Sequence, residues 1–452
     1  FDEAKSKGKS ATLLHQHRPN VFSMNVANVM PGDIITVELR YTELLVPTEG
    51  VYEFVYPTVV GPRYSSQAQE GAHMDDKWIQ SPYQKKGKPQ KSKWNISVEL
   101  AAGMDLQDVT CSSHEALIQF ASPINARITL ADKEKHEGGN RDFILGYRLN
   151  GQAVQTGLMM YDIGPEKYFL LMVQPPQRVV QKDIPPREYI FVVDVSGSMH
   201  GFPLDISKDL LKNLIGSLSS KDKFNVILFS GGSQIMSPNS LSASQENIRE
   251  AIRMIEQQNG GGGTELLAAL KRALSVPRDE SFSRTVIVVT DGFIGAERDV
   301  FDTIRQNLSR TNFFGFGIGS SVNRHLIEGI ARAGLGEPFI ITKQEEAQRE
   351  AQRFCKYIKS PVLKDIHIGF EGFDAYDMEP AAIPELFAER PLVIIGKWRG
   401  EAKGQIRISG VGGRGNFSRV IKVADFTPSK SNSALPYLWA RTRIAGLSDF
   451  SG

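Results

Sequence analysis

Cysteine is scarce in this chain of 452 residues, which contains only Cys111 and Cys355. Two cysteines cannot form the disulfide framework of a small secreted scaffold, and these two fall in regions that we assign to different domains, so cysteine content leaves the compartment open. No run approaches the ~20 consecutive apolar residues that a membrane-spanning helix needs. The opening FDEAKSKGKS has no initiator methionine and no apolar signal segment, so we expect an excised or processed piece.

An excess of charge of either sign is also missing. The chain has 53 Lys and Arg against 51 Asp and Glu, a formal net charge of +2. Such a balance favours neither a nucleic acid nor an anionic membrane surface as the partner. With 41% hydrophobic and 23% charged residues, the composition is typical of a globular protein. The length predicts roughly three domains.

Short strands are predicted throughout residues 1–150. The segments DIITVELRYTELL, GVYEFVYPTVV, WNISVELAAG and DFILGYRLNG alternate apolar with polar residues and end at turn-forming residues. No long helical pattern interrupts them, so we expect a β-sandwich. The polar stretch Arg63–Trp94 between two of these strands predicts a long surface loop.

The pattern changes to strand–helix alternation in residues 187–360. Continuously apolar runs, such as YIFVVDV, KFNVILFS and RTVIVVTDG, alternate with amphipathic helical patterns. This predicts a doubly wound parallel sheet covered by helices on both faces. Strand patterns return in residues 361–427, and residues 428–452 include the helical pattern SALPYLWARTRIAGL.

Oxygen-bearing residues collect where three strands or loops of the α/β region end. Asp194, Ser196 and Ser198 follow the first strand, Thr264 follows a four-glycine loop, and Asp291 follows another apolar strand. The carboxyl ends of parallel strands share one edge of the sheet, where ligands bind in such folds. Two carboxylates and three hydroxyls without His or Cys suit a hard cation, so we expect Mg²⁺, with Mn²⁺ or Ca²⁺ as possible substitutes.

Other interpretations of these residues fit less well. Asp and Ser in a glycine-rich turn are ordinary turn formers, so the first motif alone is ambiguous. A serine hydrolase would need G-x-S-x-G, which the residues around Ser198 do not provide, and GFGIGS lacks the third glycine of a dinucleotide-binding loop. Cys111 and His114 are a weak hint of zinc, and the run Lys85–Lys93 predicts a solvated loop more readily than an anion site.

The motif DVSGSM, the later Thr264 and the later TDG together resemble the metal-ion-dependent adhesion site of von Willebrand factor A domains. The resemblance implies that the three hydroxyls bind the metal directly or through water, and that Asp194 and Asp291 bind directly or through waters. It leaves one coordination position open for an acidic group of a partner. The partner-binding rim would be Met199, His200, Gly263, Gly292 and Phe293. His200-Gly201-Phe202 replaces the acidic pair of integrin sites, so we expect no second cation.

The stretches RPNVFSMNVANVMPGD and FVYPTVVGPRYS resemble the VIT domain of inter-alpha-trypsin inhibitor heavy chains and of bacterial surface proteins, some of them sortase-anchored. The resemblance implies a VIT β-sandwich in residues 1–150 and an A domain in residues 187–360. Residues 151–186 and 361–427 would form a second, hybrid-like β-sandwich into which the A domain is inserted. The Asp-Pro-His sequence by which heavy chains transfer to hyaluronan is absent, so that chemistry is not expected.

The function expected from these features is metal-dependent adhesion. We expect a non-enzymatic module of a secreted, cell-surface or cell-envelope protein, whose cation coordinates a carboxylate of a protein or matrix ligand. No nucleic-acid partner and no transmembrane segment are expected. The alternative is an intracellular or periplasmic scaffold or chaperone partner, and a metal-dependent hydrolase fits less well because it would usually need more carboxylates.

Overall fold

A computed structural model describes residues 1–18, 21–58, 93–149, 151–292, 294–388 and 390–448. It has the mixed architecture predicted from the sequence: an N-terminal β-sandwich, a doubly wound α/β domain, and a second β-sandwich built around that domain, with a helix at the C-terminal side. No helix in these ranges is long and apolar enough to cross a membrane.

The N-terminal part is built from short antiparallel strands. Its elements are α1 (Asp2–Ser6), β1 (Ala11–Arg18), β2 (Val21–Ala27), β3 (Tyr52–Tyr56), β4 (Ser97–Ala101), β5 (Gln107–Cys111), β6 (Ala116–Ser122), β7 (Asn125–Leu130), α2 (Glu134–Glu137) and β8 (Phe143–Arg148). Strands β1 and β2 form a separate hairpin, while the sheets β3-β8-β5 and β4-β7-β6 pack around a core that includes Ile128, Phe143 and Leu145.

One predicted strand of this part is not formed. Residues 33–45, DIITVELRYTELL, pair with no strand in the described chain, and Ile34 and Leu39 are 93% and 83% exposed. Alternation of apolar and polar residues stabilises a strand only when a neighbouring edge accepts its hydrogen bonds and its apolar face is covered. The alternating pattern by itself therefore does not make residues 33–45 a strand. Most of the predicted loop Arg63–Trp94 lies outside the described residues.

The α/β domain follows two strands of the second sandwich, β9 (Gln155–Tyr161) and β10 (Lys167–Gln174). Its elements are β11 (Arg187–Asp194), α3 (Phe202–Gly216), β12 (Lys223–Phe229), β13 (Ser233–Ile235), β14 (Leu241–Ser242), α4 (Gln245–Glu256), α5 (Leu266–Ser275), β15 (Ser283–Thr290), α6 (Glu297–Asn307), β16 (Asn312–Ile318), α7 (Arg324–Ala333), β17 (Phe339–Ile341) and α8 (Gln344–Ile358). The strand order is β13-β12-β11-β15-β16-β17, and the long strands run parallel.

Helices cover both faces of this sheet, which explains why its central strands are apolar throughout. Helices α3, α4 and α8 pack on one face, and α5, α6 and α7 pack on the other. Every residue of β11 and of β15 is buried. Helices therefore cover both faces of the two central strands up to their ends. The carboxyl ends of these two strands lie next to each other.

The second sandwich draws strands from both sides of the α/β domain. It continues with β18 (Pro361–Glu371), β19 (Asp374–Glu379), β20 (Leu386–Phe387), β21 (Leu392–Arg399), β22 (Gln405–Gly412) and β23 (Gly415–Lys422), and α9 (Leu435–Ser448) follows. The sheets are β19-β21-β10-β9 and β20-β18-β22-β23. Strand β10 pairs with β21, with Leu170 opposite Ile395, so the α/β domain is an insertion in the chain of this sandwich.

A short segment of the second sandwich closes the base of the α/β domain, at the sheet edge opposite to the strand ends described above. Phe387 packs in the α/β core with its ring centroid 5.6 Å from that of Phe314. Nearby, the Arg390 guanidinium donates a hydrogen bond to the carbonyl oxygen of Leu335 at 2.8 Å. This contact holds the inserted domain against its sandwich at the base and leaves the carboxyl edge of the sheet facing away.

Candidate functional site

The site begins at the carboxyl end of two neighbouring parallel strands. Strands β11 and β15 pair with Val193 opposite Val289, which brings Asp194 and Thr290 side by side at the ends of the strands. Asp194 is completely buried, and Asp291 follows Thr290 with 9% of its surface exposed. Parallel pairing alone therefore places the two carboxylates at one edge of the sheet.

Hydrogen bonds join four of the five predicted metal residues into one cluster. The Ser196 amide donates to Asp194 Oδ1 at 2.8 Å, and the Ser198 hydroxyl donates to Asp291 Oδ1 at 2.9 Å. The Ser196 and Ser198 hydroxyl oxygens are 3.2 Å apart. Ser196 is buried and Ser198 is exposed, so the cluster reaches from the end of the sheet to the surface.

The fifth predicted residue, Thr264, is brought close through its glycine-rich loop. The Gly261 amide donates to the Val195 carbonyl at 2.9 Å, and the Gly197 amide donates to the Gly262 carbonyl at 3.1 Å. Two backbone hydrogen bonds thus join this loop to the turn that carries the serines. Thr264 is half-buried, and among the described residues its hydroxyl makes no hydrogen bond to the other four.

The predicted partner-binding rim requires two corrections. Met199 has no exposed surface and belongs to the core beneath the site. Gly292 is also buried, with φ at +53°, and a Cβ there would lie 2.6 Å from Leu326 Cδ2. The resemblance placed both residues on the rim, whereas the chain turns inward at these positions.

Of the three remaining rim residues, two are described by the structure. His200 and Gly263 are exposed beside the cluster. The His200 Nδ1 lies 3.0 Å from the Asn259 carbonyl oxygen, so this ring nitrogen faces the glycine loop rather than a serine hydroxyl. Phe293 lies outside the described residues.

The electrostatics of the cluster favour a bound cation. Burial raises the pKa of the Asp194 carboxyl above its usual value, and the Asp291 charge raises it further, although hydrogen bonds from Ser196 and Thr290 oppose the shift. Among the described residues, no Lys or Arg forms an ion pair with either carboxylate. Two close carboxylates without a basic partner repel each other, and a cation removes that repulsion.

The chemistry of the donors matches a hard cation. Ser196, Ser198, Asp194 and Asp291 supply only oxygen atoms, and Thr264 lies on the adjoining loop. Mg²⁺ prefers oxygen ligands and keeps several waters, so it does not require an all-carboxylate cage. In the described ranges no three His, Cys, Asp or Glu residues come together as a metal-binding group, so the set offers hydroxyls where a zinc site would offer His or Cys.

Thr290 is a residue of the cluster that the sequence analysis missed. Its hydroxyl donates to Asp194 Oδ2 at 2.6 Å, and the residue is fully buried. The signal was present in VIVVTDG, because Thr290 directly precedes Asp291 and is the first polar residue after an apolar run. Only the pairing of β11 with β15 shows that this hydroxyl faces Asp194.

Among the described residues, no group of three or more His, Cys, Asp or Glu forms around Cys111 and His114 that could hold zinc. His114 Nδ1 lies 2.8 Å from the Ser113 hydroxyl, and Cys111 Sγ lies 3.8 Å from the same oxygen. Both Cys111 and Cys355 are free thiols. The basic run Lys85–Lys93 lies outside the described residues except for Lys93.

Comparison with known protein families finds two matches within the chain. Residues 187–338 match the model of the von Willebrand factor type A domain, and residues 1–41 match that of the vault protein inter-alpha-trypsin domain, VIT. The first match contains Asp194, Ser196, Ser198, Thr264 and Asp291. The two matches fit the arrangement of VIT and A domains implied by the sequence motifs.

Curated relatives extend this likeness over most of the chain. The chain is 26% identical over 425 residues to von Willebrand factor A domain-containing protein 5A of Rattus norvegicus, covering 88% of this chain and 51% of that protein. It is 27% identical over 405 residues to the Homo sapiens protein of the same name, covering 84% and 51%. The chain thus spans about half the length of these relatives. A solved von Willebrand factor type A structure from Catenulispora acidiphila aligns with 61% of this chain and 74% of its own, at 17% identity and a TM-score of 0.47.

Proposed function

We propose that this chain, which combines a VIT domain with a von Willebrand factor type A domain, binds an acidic partner through a divalent cation held at the cluster described above. The observation that carries the proposal is the convergence of Asp194, Ser196, Ser198 and Asp291 at the carboxyl edge of the α/β sheet. Mg²⁺ is the cation that these donors suit best, with Mn²⁺ and Ca²⁺ as alternatives.

Each residue of the cluster has a stated task in this proposal. The hydroxyls of Ser196, Ser198 and Thr264 supply neutral oxygen ligands, and Asp194 and Asp291 balance the charge of the ion directly or through water. Where these carboxylates bind through water rather than directly, the cation keeps more of its positive charge at the open position, which it would use to attract a carboxylate of a protein or matrix partner. The exposed side of the cluster, at Ser198, His200 and Gly263, is where that partner would approach.

We propose a binding role rather than an enzymatic one. A hydrolase would need a nucleophile activated by a base within hydrogen-bond reach. Ser198 donates to Asp291, a carboxylate that the proposed cation would engage and so make a poor general base, while the nearest histidine by sequence, His200, faces the Asn259 carbonyl. The likeness of the N-terminal motifs to VIT domains of secreted and surface proteins supports a location outside the cell or in its envelope.

A divalent-ion titration tests the cation site. At ~100 times the dissociation constant, Mg²⁺ should add about 2.7 kcal/mol to the free energy of unfolding if only the folded state binds it. We expect this gain in the wild type and in the control Asp209→Ala, an exposed carboxylate on α3 outside the cluster. Asp194→Ala should fold and show no gain. A wild type that Mg²⁺, Mn²⁺ and Ca²⁺ all leave unchanged would disprove the site.

A pull-down from native extracts tests the partner. Proteins retained by the wild type in Mg²⁺ should be released by a chelator and should be missing from an Asp194→Ala column. Equal retention with and without the chelator would show that binding uses another surface. The Asp209→Ala column controls for the loss of a carboxylate as such.

A further inference from the structure

We propose that Thr290 is a positioning residue of the cation site: its hydroxyl holds the Asp194 carboxylate in the orientation that binding requires. This inference rests on the proposed function, because it concerns the same cation. It adds to the five predicted ligands a residue that would touch neither the ion nor the partner.

The two oxygens of Asp194 are held from two different parts of the chain. Oδ1 accepts the backbone amide of Ser196, 2.8 Å away, which belongs to the turn after β11. Oδ2 accepts a hydrogen bond from the hydroxyl of Thr290 at 2.6 Å, and Thr290 is the last residue of the neighbouring strand. One donor on each oxygen fixes the plane of the carboxylate, because rotation about the Cβ–Cγ bond would break both hydrogen bonds.

The hydroxyl of Thr290 lies at the end of an otherwise apolar, buried run of its strand. The preceding residues of β15, Val286–Val289, are apolar and fully buried, and Thr290 is buried to the same degree. Valine has nearly the same shape and would fill the same space without introducing a polar atom. A buried hydroxyl destabilises the fold unless it is hydrogen-bonded, so the bond to Asp194 accounts for a threonine at this place.

The backbone of the next turn passes close to the threonine side chain. Gly292 has φ at +53°, and a Cβ at this position would lie 3.2 Å from Thr290 Cγ2 and 3.3 Å from its Oγ1. Glycine thus leaves the room that the threonine rotamer occupies. A side chain at position 292 would press on Thr290, so glycine there preserves the rotamer that donates to Asp194.

The Asp194 carboxylate can accept more than these two hydrogen bonds. Each carboxylate oxygen has two lone pairs, so Asp194 can accept from Ser196 and Thr290 and still face a cation or its water. Removal of the Thr290 hydroxyl would leave Oδ2 without its donor and the carboxylate free to turn. Loss of a group that orients a metal ligand typically weakens metal affinity by about 10–100-fold.

Isothermal titration with Mg²⁺ compares the wild type with Thr290→Val and Thr290→Ser. We expect Thr290→Val to bind about 10-fold more weakly or worse, and Thr290→Ser, which keeps the hydroxyl, to bind within about threefold of the wild type. Thr285→Val is the matched control, because Thr285 is a buried threonine on the same strand, remote from the cluster. Thermal unfolding in a chelator shows which variants are folded.

The outcomes separate the two proposals. A wild type that binds no divalent ion contradicts the proposed function itself. A wild type that binds Mg²⁺, together with a Thr290→Val protein that binds it equally well or more tightly, contradicts only the role of Thr290, as does a Thr290→Ser protein that is as weak as Thr290→Val. If Thr290→Val does not fold, Thr290→Ala replaces it, and wild-type affinity in that variant would equally overturn the inference.

Discussion

Asn312 donates a hydrogen bond to the buried carboxylate of Glu385, from Nδ2 to Oε2 at 2.8 Å, and so joins the base of the α/β domain to the second sandwich. The Ser283 hydroxyl donates to the same oxygen. The neighbouring Arg390 donates to the backbone carbonyls of Leu335 and Glu385 rather than to the carboxylate. Glu385 is therefore buried among neutral donors. Burial raises its pKa to about 7 although the hydrogen bonds from Ser283 and Asn312 lower it, and the charges of Asp365 and Lys364 raise and lower it by smaller amounts.

The stability of the protein should depend on pH through Glu385. Its pKa is raised from 4.5 to about 7, so the folded state binds this proton more tightly than the unfolded state does. The resulting stabilisation is complete below pH 4.5 and is lost as the pH rises through 7, a decrease of about 3 kcal/mol in the free energy of unfolding. Glu385→Gln has no such proton, so its free energy of unfolding should lack this dependence on pH. At pH 8 it should be higher than that of the wild type.

Urea unfolding of both proteins at several pH values between 4.5 and 8 measures the effect. The difference between them cancels the contributions of other titrating groups. Glu371→Gln is the control, because Glu371 is an exposed carboxylate whose pKa is lowered rather than raised. Parallel pH profiles for the wild type and Glu385→Gln would refute the prediction.

The buried pair of Arg284 and Glu188 should be costly to break from one side. Arg284 Nε lies 2.6 Å from Glu188 Oε2, and both side chains are almost fully buried. Arg284→Met leaves the Glu188 charge buried without its partner and should lower the free energy of unfolding by about 3–5 kcal/mol. The double variant Arg284→Met, Glu188→Leu should recover most of that loss, because it removes both charges. Urea unfolding of the four proteins of this cycle measures the coupling, and additive effects would contradict it.

Helix α9 should depend on Trp439 for its attachment. The Lys397 ammonium lies 3.9 Å from the Trp439 ring centroid, and the indole nitrogen donates to the Asp377 carbonyl at 2.7 Å. Trp439→Ala should lower the free energy of unfolding by about 2 kcal/mol and speed hydrogen exchange in α9 selectively. Tyr437→Ala, on the same helix but 66% exposed, should change neither quantity. Unchanged exchange in Trp439→Ala would show that other contacts hold the helix.

The glycine-rich loop should tolerate a side chain at one position and not at its neighbour. Gly260 has φ at +80°, and a Cβ there would lie 3.3 Å from the Ser196 carbonyl oxygen. Gly260→Ala should therefore destabilise the protein by about 1–2 kcal/mol and weaken Mg²⁺ binding. Gly261→Ala should be nearly neutral, because its Cβ would meet no atom within 4 Å. Thermal unfolding and Mg²⁺ titration measure both effects, and equal behaviour of the two variants would contradict the prediction.

The candidate site shows how far a local pattern reaches. Asp194 and Asp291 could be assigned to one sheet edge from the sequence, because each follows an apolar run of strand length and parallel strands end at a common edge. Met199 and Gly292 could not be assigned correctly, because exposure depends on the direction in which each turn leaves the strand. Thr290 was missed for a related reason: its partner lies 96 residues away on the neighbouring strand.

By itself, the sequence determined the alternation of strands and helices, the division into all-β and α/β parts, and the residue types that make a hard-cation site plausible. These properties are local, because periodicity and turn chemistry act over a few residues. The tertiary structure decided which predicted strands found an edge to pair with, which members of the metal motif face one another, and that Glu385 closes the base of the inserted domain. Those outcomes depend on contacts between residues far apart in the chain, whose geometry no local pattern encodes.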